Sequence, residues 1–535
     1  MSGSRVRWIS GAPAVTGCVE GALTDPAAAE CLRDNPRRRI LRVPGPDGPL
    51  LVKHYRLRSG HHAPRELAKA FFRLAAPDRE WRALVRLHRA GAPVPAPLAR
   101  GVLEGGDRLT VVRFHPQPLL ADSLGGLRGE PRRAVLRALG DAVARLHAAG
   151  WVHGDLHAGN ILAAPDGAWL LDLQRARRCR SPRARRRDLA FLHHSLLPLT
   201  RAGERLELGR RILAARGVPP AALEGELRRI GRAARRRAAE HAASRTRRAL
   251  RPGRRFAELR IGPLRGLRLR EVDPAWVATV VEAHRGASGP ALIKDDGRSR
   301  VTRVAASGRS AVVKQVRPRG VLRRLADRLR GAPGLRAFRG GHGLEARGIR
   351  AARPMAYLVR WRLGLPVESL VVLEDLAGRV PADRALEAGA DPERVLADLA
   401  DLAVRLHRRG VDHGDLKASH VLLAPPGVPG QPALIDLEGV RFRRRLSERR
   451  RRLALAQLNA SLPDSFGSAA RHAAFRRYAA RFPFRARTAA VEADLVAASL
   501  ARRHRWTGRD CGLAAGAAAG GDPAKPQTEG ARKRA

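Results

Sequence analysis

The same polar loop occurs twice in this chain of 535 residues. RLHAAGWVHGDLHAGNIL begins at Arg145, RLHRRGVDHGDLKASHVL begins at Arg405, and ten of the eighteen positions are identical. Solenoid repeats recur every 20–50 residues or so, and this period of 260 residues is far longer. Each copy is also long enough to bury a core of its own. The repeat therefore predicts a duplicated domain.

Other landmarks recur in the same order around the loop. The paired polar residues are Lys53 with Lys314, Glu80 with Glu345, Asp155 with Asp415, and Asp172 with Asp436. Their offsets all lie between 260 and 265 residues. Further on, RRRDLAFLHHSL from Arg185 matches RRRLALAQLNASL from Arg450. A series of this kind at a nearly constant offset indicates two domains and not a chance match of one loop.

The net charge of +53 is extreme and raises the question of an anionic partner. Only seven of the 103 basic residues are lysine, which indicates a bias toward arginine along the whole chain. Aromatic residues make up 4%, few for stacking on bases, so we expect no specific nucleic acid. Attraction to an anionic membrane surface is expected from the charge. The oligomeric state stays open.

The sequence contains few signals that indicate a cellular location. No apolar run reaches the ~20 residues that span a bilayer, and the first thirty residues lack the layout of a signal peptide. The four cysteines are scattered without metal-ligand spacing (Cys18, Cys31, Cys179 and Cys511). We therefore expect a reduced, cytoplasmic protein.

Because nearly every basic residue of the chain is arginine, each lysine is conspicuous. Lys53 and Lys314 each end a strand-like run, in GPLLVKHY and RSAVVKQV, and Lys417 lies in the second loop. A site that needs a compact ammonium resists replacement by a guanidinium. We expect these three lysines to contact nucleotide phosphates.

The local patterns around these residues predict mixed α and β structure. A hairpin pattern ends on Lys53, and Glu80 opens an amphipathic helix that can bring its carboxylate to the ammonium. We expect Glu345 to do the same for Lys314. An amphipathic helix precedes the loop, and a strand, turn and strand then lead to Asp172.

Phosphoryl transfer needs this set of groups. A lysine held by a glutamate binds the phosphates, a base lies near the acceptor hydroxyl, and two side chains hold Mg²⁺. Asp155 is the expected base, with Asn160 and Asp172 as metal ligands at the right spacing. In the second copy the same roles fall to Asp415, His420 and Asp436, although histidine is a poorer ligand for Mg²⁺ than an amide oxygen.

Both copies resemble the lipopolysaccharide core kinases of the Kdo kinase and heptose kinase type. The segments that carry the resemblance are REWRALVRLHRAGAPVPAPLA, HGDLHAGNIL and LLDLQRAR in the first copy, with HGDLKASHVL and LIDLEGVR in the second. The resemblance implies ATP and Mg²⁺ as cofactors and a hydroxyl of a lipid-linked sugar, Kdo or heptose, as acceptor. It also implies a peripheral place on the cytoplasmic face of the inner membrane. It also implies that histidine at position 420 is compatible with activity, as in the heptose-kinase branch.

Two alternatives remain. Aminoglycoside-type phosphotransferases, which act on small molecules, share the pattern HGDLHxGN. The other alternative is that the second copy is a pseudokinase, which serves as a scaffold or regulator. A regulated protein kinase is disfavoured, because Gly154 and Gly414 precede the aspartates where such kinases have arginine, and little room remains for an activation segment.

The expected fold class is α+β, with two tandem protein-kinase-like domains, each having a β-rich N-terminal lobe and a helical C-terminal lobe. The expected boundaries are an N-terminal extension at 1–34, domain 1 at 35–205, a basic helical linker at 206–264, domain 2 at 265–490 and a disordered tail at 507–535.

Overall fold

The computed structural model describes residues 6–57, 74–425 and 430–509, together with positions 68, 70, 72 and 428. Beyond residue 509, the tail predicted from the sequence lies outside the described residues. The chain divides into two compact units, Met1–Ala238 and Ala239–Ala535, called unit 1 and unit 2 below. Both contain helices and strands, as expected for an α+β protein.

Unit 1 has a six-stranded antiparallel sheet. Its strands are β1 (Val6–Ser10), β2 (Glu30–Asn35), β3 (Arg38–Val43), β4 (Leu50–Tyr55), β5 (Pro97–Leu103) and β6 (Arg108–Arg113). The spatial order is β1-β5-β6-β4-β3-β2, so β4 lies inside the sheet. Alternate residues of β4 such as Leu50 and Val52 are buried in one core, as the period of two along a strand requires.

The rest of unit 1 is mainly helical. Its helices are α1 (Pro13–Thr24), α2 (Ala76–Arg89), α3 (Leu120–Ser123), α4 (Gly129–Ala148), α5 (Pro182–Leu196), α6 (Ala202–Ala214) and the first part of α7 (Pro220–Arg248). Four short strands accompany them, namely β7 (Trp151–Val152), β8 (Ile161–Ala164), β9 (Gly167–Leu170) and β10 (Arg177–Arg178). Leu139, Val143 and Leu146 of α4 lie at the centre of the helical core, at the spacing of one helix face.

Residues 6–34, the described part of the predicted N-terminal extension, belong to the fold of unit 1. Strand β1 pairs with β5 and strand β2 pairs with β3, so both belong to the sheet. Val15 and Val19 of α1 are buried in the same core as β4. The sequence did not reveal these elements because β1 and β2 are edge strands with few buried side chains.

Unit 2 has a seven-stranded antiparallel sheet. Its strands are β11 (Phe256–Ile261), β12 (Leu264–Leu269), β13 (Leu292–Asp295), β14 (Ser299–Ala306), β15 (Arg309–Val316), β16 (Pro354–Arg362) and β17 (Leu365–Glu374). The spatial order is β11-β12-β16-β17-β15-β14-β13. Strand β15, which carries Lys314, therefore occupies an interior place like that of β4.

The helices of unit 2, after the last residues of α7, are α8 (Pro274–Gly286), α9 (Val321–Arg330), α10 (Pro333–Glu345), α11 (Pro392–Arg408), α12 (Glu448–Ala460), α13 (Ser468–Arg481) and α14 (Thr488–Leu500). Its short strands are β18 (Val380–Pro381), β19 (Val411–Asp412), β20 (Val421–Leu423), β21 (Ala433–Leu434) and β22 (Arg441–Phe442). Leu399, Leu402 and Leu406 of α11 pack into its helical core.

The segment expected as a linker contains parts of both units. Leu208 and Ile212 of α6 are buried in the core of unit 1. Strands β11 and β12 form a hairpin in the sheet of unit 2. What remains of the linker is the basic helix α7, within which the division between the units falls. Among the described residues, no helix has both the length and the apolar composition needed to cross a membrane.

Candidate active site

Lys53 and Glu80 form a buried ion pair in unit 1. Lys53 projects from β4, and its Nζ lies 2.5 Å from Oε1 of Glu80 on α2. The Tyr55 hydroxyl donates to the other carboxylate oxygen. Burial raises the pKa of Glu80, but Lys53, Tyr55 and Arg38 together lower it by more, so the carboxyl is ionised. The predicted contact is therefore present, and it fixes the ammonium in place.

Tyr55 keeps its proton in this cluster. Burial and then the negative charge of Glu80 raise the pKa of the phenol well above its usual value. The guanidinium carbon of Arg38, on β3, lies 5.8 Å from the centre of the Tyr55 ring. A guanidinium nitrogen of the same residue lies 3.9 Å from the carboxylate of Asp172. Arg38 thus connects the lysine and glutamate cluster with the second predicted metal ligand.

The loop that carries Asp155 is held by Asp188 of α5. The carboxylate of Asp188 accepts the backbone N–H groups of His153 at 2.5 Å and Gly154 at 2.8 Å. Gly154 has φ 80°, and a Cβ there would lie 2.7 Å from the Arg175 carbonyl oxygen, so glycine is required. These contacts fix the backbone immediately before Asp155.

His153 braces the loop instead of binding a metal. Its Nε2 lies 2.9 Å from the carbonyl oxygen of Leu171 and donates to it. Burial lowers the pKa of His153, which keeps the ring neutral. This bond joins the loop to the segment that leads to Asp172.

Asn160 and Asp172 are presented by constrained backbone. The Asn160 side-chain N–H donates to the Asp155 carbonyl oxygen at 3.1 Å, which leaves the amide oxygen as the possible metal ligand. The Leu171 N–H donates to the Asn160 carbonyl at 2.8 Å. Asp172 has φ 58°, an uncommon left-handed conformation for a residue with a side chain. A carboxylate and an amide oxygen suit Mg²⁺, so this donor set fits the expected ion.

A basic cleft lies beside Asp155 in unit 1. Its floor includes Val152, Gly154 and Asp188, and four arginines line it, namely Arg79, Arg175, Arg177 and Arg187. Arg175 places a guanidinium nitrogen 3.8 Å from the Asp155 carboxylate. Clustered guanidinium groups favour carboxylate or phosphate ligands, so the cleft is suited to a negatively charged molecule.

In unit 2 the matching loop brings three possible ligands together. Ligand atoms of Asp415, His420 and Asp436 all lie within 4.8 Å of one another. His420 donates from Nδ1 to the Asp415 carbonyl oxygen at 2.9 Å, as the Asn160 amide does in unit 1. Its Nε2 lies 3.8 Å from the Asp436 carboxylate. One imidazole and two carboxylates can hold a divalent cation.

Other side chains surround the Asp415 carboxylate. Lys417 lies 3.2 Å from it, so this lysine contacts the expected base. The side-chain amide of Gln457 on α12 donates to the same carboxylate. Asp436 has φ 57°, the same uncommon backbone conformation as Asp172.

Lys314 does not pair with Glu345, and this prediction was wrong. The ammonium of Lys314 lies 2.6 Å from Asp436 and 2.9 Å from Glu438. Glu345 instead contacts Arg255 at 2.6 Å and the ring of His342 at 3.1 Å. Burial lowers the pKa of Lys314, but Glu438 and Asp436 together raise it by more, so the ammonium stays charged.

The error has a simple geometric cause. Each helix ends in the same kind of backbone bond. The Ala92 N–H donates to the Leu87 carbonyl at 3.0 Å, and the Ile349 N–H donates to the Leu344 carbonyl at 3.1 Å. Helices α2 and α10 therefore align at an offset of 257 residues. This register places Ala337 at the position of Glu80, eight residues before Glu345.

Asp188 is not predicted by the sequence pattern, and unit 2 shows why. The Ala158 N–H donates to Ser195 Oγ at 3.0 Å, and the Ala418 N–H donates to Ser461 Oγ at 2.8 Å. Alignment on these serines places Ala454 at the position of Asp188. Because the aspartate is present in one copy alone, comparison of the copies gave no signal for it.

A model of the lipopolysaccharide kinase (Kdo/WaaP) family matches residues 31–208 and 297–478, which is more than half of the chain. A curated relative is the 3-deoxy-D-manno-octulosonic acid kinase of Xanthomonas oryzae pv. oryzae (strain PXO99A), 37% identical over 175 residues, which cover 30% of this chain and 68% of that protein. The enzyme of the same name from Xylella fastidiosa (strain M12) is 35% identical over 135 residues, 24% of this chain and 51% of that protein.

Among solved structures, one described as WaaP in complex with acyl carrier protein is 22% identical, with a TM-score of 0.30, over 41% of this chain and 90% of that chain. The family match covers both copies of the repeat and both candidate sites. The chain therefore belongs to the lipopolysaccharide kinase (Kdo/WaaP) family and is a phosphotransferase.

Proposed function

We propose that unit 1 transfers a phosphoryl group from ATP to a hydroxyl of a sugar in the lipopolysaccharide inner core. The observation that carries this proposal is the buried contact of 2.5 Å between Lys53 and Glu80, connected through Arg38 to Asp172. A kinase needs a fixed ammonium for the phosphates next to a metal-binding carboxylate. Each unit then corresponds to a two-lobed kinase-like domain, with its large sheet in one lobe.

In this mechanism each side chain has one role. Lys53 binds phosphate oxygens of the nucleotide, and Glu80 keeps its ammonium in place. Asp155 accepts the proton of the acceptor hydroxyl, while Asp188 holds the loop around it through two backbone bonds. Asn160 and Asp172 would hold Mg²⁺, which when bound neutralises charge on the phosphates.

The acceptor that fits best is an acidic sugar. Four arginines line the cleft beside Asp155, and such a surface favours a carboxylate-bearing molecule over a neutral heptose. The curated relatives are named as kinases of 3-deoxy-D-manno-octulosonic acid, abbreviated Kdo, which is such a sugar. A cationic aminoglycoside would be repelled by the same arginines, which disfavours that alternative. A lipid-linked acceptor places the protein on the cytoplasmic face of the inner membrane.

Unit 2 supports a second candidate role. Its lysine is paired with Asp436, and Ala337 stands where unit 1 has Glu80. This arrangement favours a unit that binds nucleotide or metal and regulates or supports unit 1, with slow phosphoryl transfer or none.

The deciding experiment is transfer of radiolabelled phosphate from ATP by the full chain. The acceptors are lipid A carrying Kdo, a core extended by heptose, and an aminoglycoside. We expect label on the Kdo acceptor, loss of transfer in Asp155→Asn, and retention in Asp415→Asn. Removal of the base should lower the rate roughly 10²–10⁴-fold. Full transfer by Asp155→Asn together with loss in Asp415→Asn would assign catalysis to unit 2, and label on the aminoglycoside alone would reject the acceptor.

A further inference from the structure

Helix α9 of unit 2 exposes an apolar face. The exposed fractions are 66% for Val321, 84% for Leu322, 45% for Leu325 and 81% for Leu329. At about 100° per residue, these four positions fall within an arc of about 100° on the helix. A surface helix of a globular protein normally turns such a stripe toward the core.

The opposite side of α9 is the side attached to the protein. Asp327 is 3% exposed, and its carboxylate lies 2.8 Å from Arg336 on the neighbouring helix α10. Since Asp327 lies roughly opposite the apolar arc, the ion pair directs the leucines outward. The orientation is therefore fixed by a buried polar contact.

A hairpin turn continues this surface. Leu363, between β16 and β17, is 96% exposed and has φ 48°, an unusual conformation for a bulky residue. Trp361 beside it is 45% exposed. The Arg328 guanidinium of α9 donates to the Gly364 carbonyl oxygen, so the helix and the turn are joined. We call the six exposed apolar residues the α9–hairpin surface (Val321, Leu322, Leu325, Leu329, Trp361 and Leu363).

The surroundings of the α9–hairpin surface are strongly basic. Between positions 317 and 331, Asp327 is the one acidic residue, and it is buried. The same segment contains six arginines, namely Arg317, Arg319, Arg323, Arg324, Arg328 and Arg330. Leucine and tryptophan on one face with arginine at its borders is the composition of helices that lie in the boundary between headgroups and acyl chains.

We propose that the α9–hairpin surface docks on an anionic lipid bilayer. The leucines and Trp361 enter the boundary region, and the arginines contact lipid phosphates. Charge complementarity favours this occupant over a second copy of the chain, which would bring a further set of arginines to the same face. The inference rests on the proposed function in one respect: an enzyme whose acceptor is lipid-linked must act at a membrane surface.

The test is sedimentation of the full chain with vesicles of phosphatidylglycerol and phosphatidylcholine, without ATP or acceptor. The variant Leu322→Glu/Leu329→Glu is compared with Leu197→Glu/Leu206→Glu, which makes the same charge change at exposed leucines of unit 1. We expect the partition coefficient to fall about tenfold or more in the first variant and less than twofold in the control. Equal binding by both variants overturns the proposal.

Two further measurements address other outcomes. Sedimentation velocity without vesicles would reveal a dimer that Leu322→Glu/Leu329→Glu dissociates, and this result would assign the surface to a second copy. Lipids brominated on their acyl chains should quench less fluorescence in Trp361→Phe than in wild type, and equal quenching would also contradict docking. Because none of these assays uses phosphoryl transfer, failure of the proposed function leaves their outcome unaffected.

Discussion

The ammonium of Lys314 lies 2.6 Å from the carboxylate of Asp436, the residue expected to bind the metal in unit 2. In unit 1 the corresponding Lys53 contacts Glu80, and Asp172 has Arg38 nearby at 3.9 Å. A cation that binds Asp436 must therefore compete with the ammonium of Lys314. At Asp172 the competing group is the guanidinium of Arg38, which lies farther away and so competes more weakly. The two copies have the same loop and different charge arrangements around it.

The first prediction concerns nucleotide binding by unit 2. In the full chain with Lys53→Ala, which silences unit 1, we expect one remaining site for Mg·ATP. His420→Asn on this background should keep or improve the affinity, because an amide oxygen suits Mg²⁺ better than imidazole does. Lys314→Ala should abolish nucleotide binding but strengthen binding of Mn²⁺ alone, since Asp436 loses its competitor.

The measurement is calorimetric titration of each variant with nucleotide and with Mn²⁺. If folded Lys53→Ala binds no ATP at millimolar concentration, unit 2 is a pseudokinase, and the scaffold role applies to it.

The second prediction tests the ion pair of unit 1. Glu80→Gln removes the charge that holds Lys53, and a catalytic group displaced by about 1 Å can cost roughly 10²-fold in rate. We expect a loss of that order in kcat/KM for ATP. Tyr55→Phe removes one hydrogen bond to the same carboxylate and should cost much less. Steady-state kinetics decide this, and an unchanged Glu80→Gln enzyme would show that the pair is structural alone.

The third prediction concerns the brace on the loop. Asp188→Asn weakens two bonds to backbone N–H groups, and a buried group left unsatisfied costs about 1–3 kcal/mol. We expect lower stability to urea and a lower kcat with little change in the KM for ATP. Ser195→Ala, which removes the neighbouring bond to the Ala158 N–H, is the control for a purely structural effect. A normal kcat in Asp188→Asn would rule out a positioning role.

The fourth prediction addresses acceptor recognition. Arg177→Ala/Arg187→Ala removes two guanidinium groups from the cleft beside Asp155. The KM for a Kdo acceptor should rise at least roughly tenfold, because each charged hydrogen bond contributes about 1.5–3 kcal/mol. The KM for ATP should stay the same. Arg133→Ala/Arg228→Ala, which removes two exposed guanidinium groups of unit 1, is the matched control, and an equal effect there would point to general charge.

The fifth prediction is sensitivity to acid. Burial, followed by the charge of Arg451, lowers the pKa of His407 to about 3. Its ring nitrogen lies 2.8 Å from the Tyr478 hydroxyl. The unfolded chain, with a histidine pKa of about 6.5, binds the proton more strongly, so stability falls as pH drops below that value.

The loss from His407 should reach about 2 kcal/mol between pH 7 and pH 5. Urea unfolding at the two pH values measures this loss of stability. His407→Phe is the test variant, and the surface variant His504→Gln is its control. A pH dependence that His407→Phe leaves unchanged would contradict the assignment. Burial lowers the pKa of several other histidines in the same direction, so wild type loses more in total (His147, His153, His193, His284, His342 and His413).

The sequence was informative where chemistry depends on local spacing. The loop from Asp155 to Asn160 and the aspartate after the following pair of strands are short-range patterns, and the structure brings these residues together through backbone bonds. Glu80 was placed correctly against Lys53 because it opens a helix with a clear apolar face. Their catalytic roles remain predictions.

Features that depend on long-range packing were not predictable in the same way. The near-constant offset between the copies pairs Glu345 with Lys314, but the register of α10 is set by how that helix ends. Asp188 acts on backbone groups more than thirty residues away and leaves no periodic pattern. Arg38 and the arginines of the cleft were hidden among the many other arginines. Edge strands β1 and β2 bury too little to be recognised.

Helix α10 packs closely against the segment that follows Asp436. A methyl group at Gly340 would meet the Leu437 carbonyl oxygen at 2.5 Å. The contact therefore leaves no room for a side chain between α10 and this segment. Gly340→Ala would act as a wedge that pushes the helix away from the aspartate. One added carbon would thus alter the packing beside Asp436 without altering any charge of unit 2.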